Sequence, residues 1–299
     1  MFLRKGIITG LLCIFGLGMV GCSNSTTNKS KEVSNSKGNG EEIVVATSVA
    51  VTEILDELGV KISGVPTSSY DLPESTKGAI EVGNPMNPDL EIIKSLNPDV
   101  VVSVDTLGED FKKLFTDNNI PSEFIDLTTL EGLKTSVKTL GDRFNKTEKA
   151  DEILNEFNSK EEEFKNLSKE NEIKDILVIF AAPGSMMLAT PSSYIGNLVE
   201  IVGGNNIIKD DKLPFVSYGN EEIVKLDPDM VLVMTHGMPE EAKKMAEEKF
   251  NSDPAWSRIS AIKKGNVHYL ENGYFGMSAN LKGIEALDKL GEIIYGKEQ

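Results

Sequence analysis

A twelve-residue segment that returns with six positions unchanged constrains this chain more than any other feature. Glu91-Ile92-Ile93-Lys94-Ser95-Leu96-Asn97-Pro98-Asp99-Val100-Val101-Val102 returns 130 residues later as Glu221-Glu222-Ile223-Val224-Lys225-Leu226-Asp227-Pro228-Asp229-Met230-Val231-Leu232. Each copy reads as a short amphipathic helix, a turn at Pro-Asp and a buried β-branched strand. Two such units imply two similar lobes, and two lobes imply a cleft between them.

The flanking patterns extend both units into α/β lobes. Ile43-Val44-Val45-Ala46 reads as a buried strand, and Ser48 as the cap of a helix carrying Ile54, Leu55 and Leu58. A strand over 61–65, a helix near 109–117 and a strand at 122–125 continue the alternation, which predicts parallel sheet. From Leu130 the pattern turns helical, with one stripe at Leu133, Val137, Leu140 and Phe144. Thr147 is then expected to cap a second helix over about 148–169, roughly 33 Å long at 1.5 Å per residue. Such a helix is long enough to bridge two lobes, and a single helical crossing predicts a stiff hinge. Strand and helix alternate again from Ile176, with Met186-Met187 in a core strand, strands near 231–235 and 267–270, and a closing helix over 282–295.

The amino-terminal residues predict where the protein works. Arg4-Lys5, an apolar stretch from Gly6 to Val20 and a small residue before Cys22 have the form of a secretory signal peptide. Met19-Val20-Gly21-Cys22 resembles the lipobox of bacterial lipoproteins, which implies a lipid on Cys22, with Met19 where Leu is usual. Cys13 falls within the removed segment, so one cysteine remains and no internal disulfide can form. Residues 23–41 are polar and almost free of apolar side chains, the composition of a flexible tether. The predicted division is a signal peptide at 1–21, a lipid-anchored tether at 22–41, an N-terminal α/β lobe at 42–146, a linking helix at 147–170 and a C-terminal α/β lobe at 171–299. The net charge is −16, or −18 once Arg4 and Lys5 are removed. That excess repels nucleic acid.

Lipobox, tether, α/β lobe, long helix and second α/β lobe together resemble the substrate-binding lipoproteins of ABC importers, in the helical-backbone class that serves metals, siderophores, cobalamin and heme. The resemblance implies two Rossmann-like lobes bridged by one long α-helix. It also implies a monomer anchored at the outer face of the cell membrane, with permease and ATPase subunits as partners. In that class one Glu on each lobe docks onto permease arginines, which implies that role for Glu91 and Glu221; a carboxylate suits it, forming a bidentate, charge-assisted pair with a guanidinium.

The ligand is addressed by two loops. The chain has two histidines, His236 and His268, too few for the His-rich zinc or manganese sites of this class. Met86 lies in a Pro-bounded loop entering the first repeat, and His236 just beyond the strand that ends the second. In doubly wound lobes the carboxyl ends of the strands face the ligand crevice, so one soft and one imidazole donor are expected to face it, and heme iron accepts one axial donor on each side of its plane. Gly83-x-Pro85-Met86-x-Pro88-x-Leu90-Glu91 and His236-Gly237-Met238-Pro239 are similar to loops of the heme-receptor lipoproteins of Gram-positive iron-regulated surface determinant importers. The resemblance implies Met86 and His236 as axial ligands of one noncovalent heme b per chain, and a surface heme donor as partner. Ser48, Val49, Ser69, Tyr70, Met238 and Tyr274 are the expected pocket residues, with Phe275 beside them; His268 is expected to be structural. The competing reading is the same fold holding a ferric siderophore or cobalamin. Siderophore receptors usually show Arg or Trp in the cleft, whereas Trp256 stands in a helix-like stretch and Arg143 and Arg258 lie outside both loops. With no Gly-x-Ser-x-Gly, P-loop or His-Glu-x-x-His, the chain is not expected to be an enzyme.

Overall fold

The computed structural model describes residues 42–210 and 212–296. The expected signal peptide, Cys22 and the tether to residue 41 lie outside the described residues.

The first half runs β1 (Val44–Ala46), α1 (Val49–Glu57), β2 (Gly64–Val65), β3 (Ile80–Glu81), β4 (Gly83–Asn84), β5 (Asn87–Pro88), α2 (Leu90–Leu96), β6 (Val100–Val104), α3 (Glu109–Asp117) and β7 (Ser122–Ile125). Its main sheet is parallel throughout, in the order β3-β2-β1-β6-β7. The valine-rich runs of β1 and β6 follow from that placement, since a central parallel strand buries both faces. Val44 and Ala46 enter one core, and Val45 enters another with Ile93 of α2 and Phe115 of α3. The expected strand over 61–65 forms only at Gly64–Val65.

Two helices follow, α4 (Leu130–Arg143) and α5 (Thr147–Lys169). Thr147 does not cap α5: it is already the first helical residue, and the capping position is Lys146. The second half comprises β8 (Asp175–Ala182), β9 (Ser185–Ala189), α6 (Tyr194–Ile201), β10 (Asn205–Asn206), β11 (Phe215–Val216), α7 (Asn220–Ile223), β12 (Met230–Thr235), α8 (Pro239–Ser252), α9 (Ser260–Lys263), β13 (Val267–Tyr269) and α10 (Gly283–Tyr295). Its sheet, β11-β9-β8-β12-β13, is mixed rather than parallel. β8 and β9 form an antiparallel hairpin turned at Gly184, and β11 adds antiparallel to β9. Trp256 is buried in a turn between α8 and α9, not in a helix.

The repeat survives in the structure chiefly through its Pro-Asp pair. Asp99 accepts from the Ile43 amide at 3.0 Å while its own amide donates to the Ile43 carbonyl at 2.9 Å. Asp229 does the same with Asp175, at 2.8 Å in each direction. In both lobes, then, the aspartate clamps the start of one central strand to its neighbour. The helices differ: α2 is capped by Asp89 and closed by left-handed Asn97, whereas α7 is a single turn opening at Gly219. The expected second amphipathic helix is therefore reduced to one turn.

The sheets meet through helices. The inward faces of both, with Leu133 and Val137 of α4, Phe157 and Phe164 of α5, Leu198 of α6 and Leu290 of α10, form one continuous hydrophobic core. A Cβ at Gly291 would stand 2.4 Å from Phe164, so only a bare backbone lets α10 approach α5 this closely. Among the described residues two hydrogen bonds cross between the lobes: Asn197 Oδ1 accepts from the Leu130 amide at 2.9 Å, and the Ala279 amide donates to the Leu127 carbonyl at 2.7 Å.

Candidate ligand-binding site

A cavity of about 410 Å³ lies where the carboxyl ends of the strands from both sheets converge. That is within the usual size of a small-molecule site. The first lobe contributes Val49, Ala50 and Glu53 from the start of α1, and Tyr70 and Asp71 from the loop after β2. The second contributes Thr235 and His236 from the end of β12, and Asn272, Phe275, Met277, Asn280 and Lys282 from the segment joining β13 to α10.

Local geometry explains how the main groups are held. β12 ends at Thr235, where the His236 amide still donates to the Ala181 carbonyl of β8 at 2.9 Å. Gly237 then takes a φ of +81°, turning the chain out of the sheet before Pro239 opens α8. The imidazole is exposed and lies 5.9 Å from the ring of Phe180, which packs on Phe215 at 5.1 Å. Among the described residues its nitrogens make no hydrogen bond, so both are open to a ligand.

Met86 is displayed differently. Asn84 pairs with Asn87 across β4 and β5, which leaves Pro85-Met86 as a two-residue hairpin tip. Asn84 Oδ1 accepts from the Met86 amide at 2.9 Å and stiffens the turn. Gly83, with φ +94°, enters the hairpin where a Cβ would stand 2.9 Å from the Asp89 amide. The Thr67 amide donates to the Gly83 carbonyl at 2.9 Å, tying the hairpin to the Ser68–Tyr70 loop. Met86 is 70% exposed at this tip. It is not among the residues that line the cavity.

Of the other expected pocket residues, Val49 and Tyr70 line the cavity, as does Phe275. Ser48, Ser69, Met238 and Tyr274 do not. Ser48 instead accepts from the Val51 amide at 3.3 Å as the cap of α1. Met238 is exposed at the head of α8, and the Tyr274 ring carries the Lys289 ammonium 4.5 Å from its centre. His268 lies on β13 beyond the cavity, its Nε2 2.9 Å from Asn266 Oδ1; burial pulls its imidazole below the ordinary range, and Lys174 adds to the effect. Arg143, beside Phe144 and paired with Glu42, lies away from the cavity.

The charged groups of the cavity were not anticipated. Burial raises the Glu53 carboxyl above its ordinary value, partly offset by the Lys282 ammonium. Lys282 occupies the capping position of α10. A cation there opposes the helix dipole, and that misplacement was the available signal. Among the described residues no group of three or more His, Cys, Asp or Glu side chains could hold a bare metal ion, and no helix is long and apolar enough to cross a membrane.

Two α/β lobes facing one cavity at the carboxyl ends of their strands, and joined by packed helices, define a substrate-binding protein of the ABC-importer type. The chain belongs to the periplasmic binding protein family, whose model matches residues 44–274. It is 35% identical over 286 residues to the high-affinity heme uptake system protein IsdE of Staphylococcus aureus (strain Newman), covering 95% of this chain and 96% of that protein. An ABC transporter substrate-binding protein from Listeria monocytogenes EGD-e superposes with a TM-score of 0.82 at 36% identity, over 86% of this chain and 100% of that one. S. aureus IsdE complexed with heme gives a TM-score of 0.81 at 36% identity, with the same coverage. Membership of this family makes the chain a binding protein and not an enzyme.

Proposed function

We propose that this protein captures heme between its lobes, ligates the iron through His236 and Met86, and delivers the heme to an ABC permease. The observation that carries the reading is His236: an exposed imidazole with no hydrogen bond among the described residues, braced on Phe180 at the wall of a cavity shared by both lobes. The donor set fits the cargo. Imidazole and thioether are an established axial pair for heme iron, and Met86 stands exposed at a stiffened hairpin tip.

The remaining walls suit a flat tetrapyrrole. Tyr70, Phe275 and Met277 offer aromatic and polarizable surface for dispersion contacts. The first amides of α1, at Val49 and Ala50, have no acceptor within the helix and line the cavity, where they suit the carboxylate of a propionate. With the iron held by two protein donors no coordination position is left for a reaction, which accords with carriage and release.

Delivery would begin at Glu91 and Glu221, both exposed in the first turns of α2 and α7. Each would pair with a permease guanidinium, the two together straddling the lobes. Release requires those lobes to separate against the continuous helical core, work that fits ATP hydrolysis by the importer. The family and the lipobox-like Met19-Val20-Gly21-Cys22 pattern support anchorage through a lipid on Cys22 at the outer membrane face, where a surface donor would supply heme.

Absorbance titration with heme tests the reading. The wild-type protein should develop a low-spin Soret band at one heme per chain, and Met86→Ala and His236→Ala should each alter that spectrum and weaken binding. A wild-type protein that gives no Soret shift sinks the proposal.

A further inference from the structure

We infer that Lys282 is the counter-ion for a carboxylate of the bound ligand, and that it sets the preference of this cavity for a ligand with a free carboxylate over its neutral ester. The inference rests on the heme reading above and names the group that would receive one propionate.

Four observations converge on Lys282. Among the described residues that line the cavity it is the only lysine or arginine, in a chain whose net charge is −16. Its side chain is exposed and makes no ion pair among the described residues, although most lysines of the linking helix do: Lys149, Lys160 and Lys165 each hold a carboxylate. It occupies the capping position of α10, where a cation opposes the helix dipole and a polar cap would have served stability better. The backbone at that position is also rigid. The Lys282 amide donates to Asn280 Oδ1 at 2.9 Å, and the Ala286 amide donates to the Lys282 carbonyl at 2.9 Å.

The surrounding charges give Lys282 its selectivity. Glu53 and Asp71 line the same cavity, so without the ammonium its walls carry only negative charge. A ligand carboxylate entering such a cavity is repelled unless a cation meets it. Glu53 feels the Lys282 charge but forms no ion pair with it, which leaves the ammonium free for an incoming anion. One lysine against two carboxylates also disfavours a chelate carrying several negative charges. A planar ligand with its carboxylates gathered at one edge matches this arrangement better.

The test compares hemin with hemin dimethyl ester, whose ring and iron are the same but whose propionates carry no charge. Lys282→Gln should weaken hemin binding about tenfold, between the worth of an exposed ion pair and that of a buried charge-assisted hydrogen bond. It should leave binding of the ester unchanged. Lys282→Arg should retain hemin affinity, and an unaltered spectrum and unfolding midpoint in both variants would show that iron ligation and fold are intact. Equal hemin affinity in Lys282→Gln and wild type overturns the inference, as does an equal loss for hemin and ester. A wild-type protein that binds neither porphyrin overturns the heme reading itself, and that outcome is separate from both.

Discussion

Replacing Asn197 by Ala should loosen the seam between the lobes without touching the cavity. Asn197 lies on α6 of the second lobe, yet its Oδ1 accepts from the amide of Leu130, the first residue of α4, at 2.9 Å. Thr129 already serves the Gly132 amide at 3.1 Å, so the Leu130 amide has Asn197 as its acceptor. The Leu130 side chain is fully buried in the shared core, which keeps water from replacing that acceptor easily. Leaving such an N–H unpaired costs about 1–2 kcal/mol. For a folded body of this size that corresponds to a fall in Tm of about 2–8 °C. Asn197→Asp keeps the acceptor and sets a negative charge at a helix N-terminus, which contributes about 0.3–1 kcal/mol. Glu131 in the same turn opposes part of that gain. The Asp variant should therefore recover most of the loss. Scanning calorimetry of the ligand-free protein reads both values. Wild-type melting in Asn197→Ala, or an Asp variant that melts as low as the Ala variant, would refute the assignment of this bond as a structural tie between lobes.

Two further outcomes follow from the charged groups of the two lobes. Because burial raises the Glu53 carboxyl above its ordinary 4.5, the folded chain holds that proton more tightly than the unfolded one. Stability from this group is present below 4.5 and lost as pH rises through the folded value. Glu53→Gln should thus be more stable than wild type near pH 7, with the gain vanishing near pH 4; urea unfolding at the two pH values checks it, and a gain independent of pH contradicts it. Replacing both Glu91 and Glu221 by Ala should leave heme titration and Tm unchanged while abolishing permease-dependent uptake, because among the described residues Glu91 makes only an exposed 3.4 Å side-chain contact with Lys94 and the exposed Glu221 side chain makes none. Normal uptake in the double variant would exclude docking through these carboxylates.

How far the sequence could be read depended on whether a signal was local. Ser48, the valine runs of β1 and β6 and the body of the long helix α5 were legible because capping, period and apolar runs act over a few residues. The helix cap at Thr147 failed because a Thr side chain can cap or simply begin a helix, and here Lys146 precedes it at the boundary. The second repeat misled more deeply. Six of its twelve residues match the first copy, but α7 stops after one turn while the Pro-Asp clamp persists, since the clamp needs only the neighbouring strand.

The binding site divides the same way. His236 could be placed at the cavity because strand ends announce which loops leave a sheet at its ligand side, whereas Met86, singled out from its loop in the same way, does not line the cavity. Val49 and Tyr70 lay close to those loops in the same logic. Lys282, Glu53, Asn272 and Asn280 could not be found, because they meet only when α10 and α1 converge from opposite ends of the chain. The amino-acid sequence by itself determined two α/β lobes, a long connecting helix and a pair of donor-bearing loops, all of which follow from short-range patterning. Only the tertiary structure decided that one hydrophobic core runs through both lobes and that a single ammonium stands among carboxylates in the cavity. Burial and charge proximity are properties of residues far apart in the chain, and no local period encodes them.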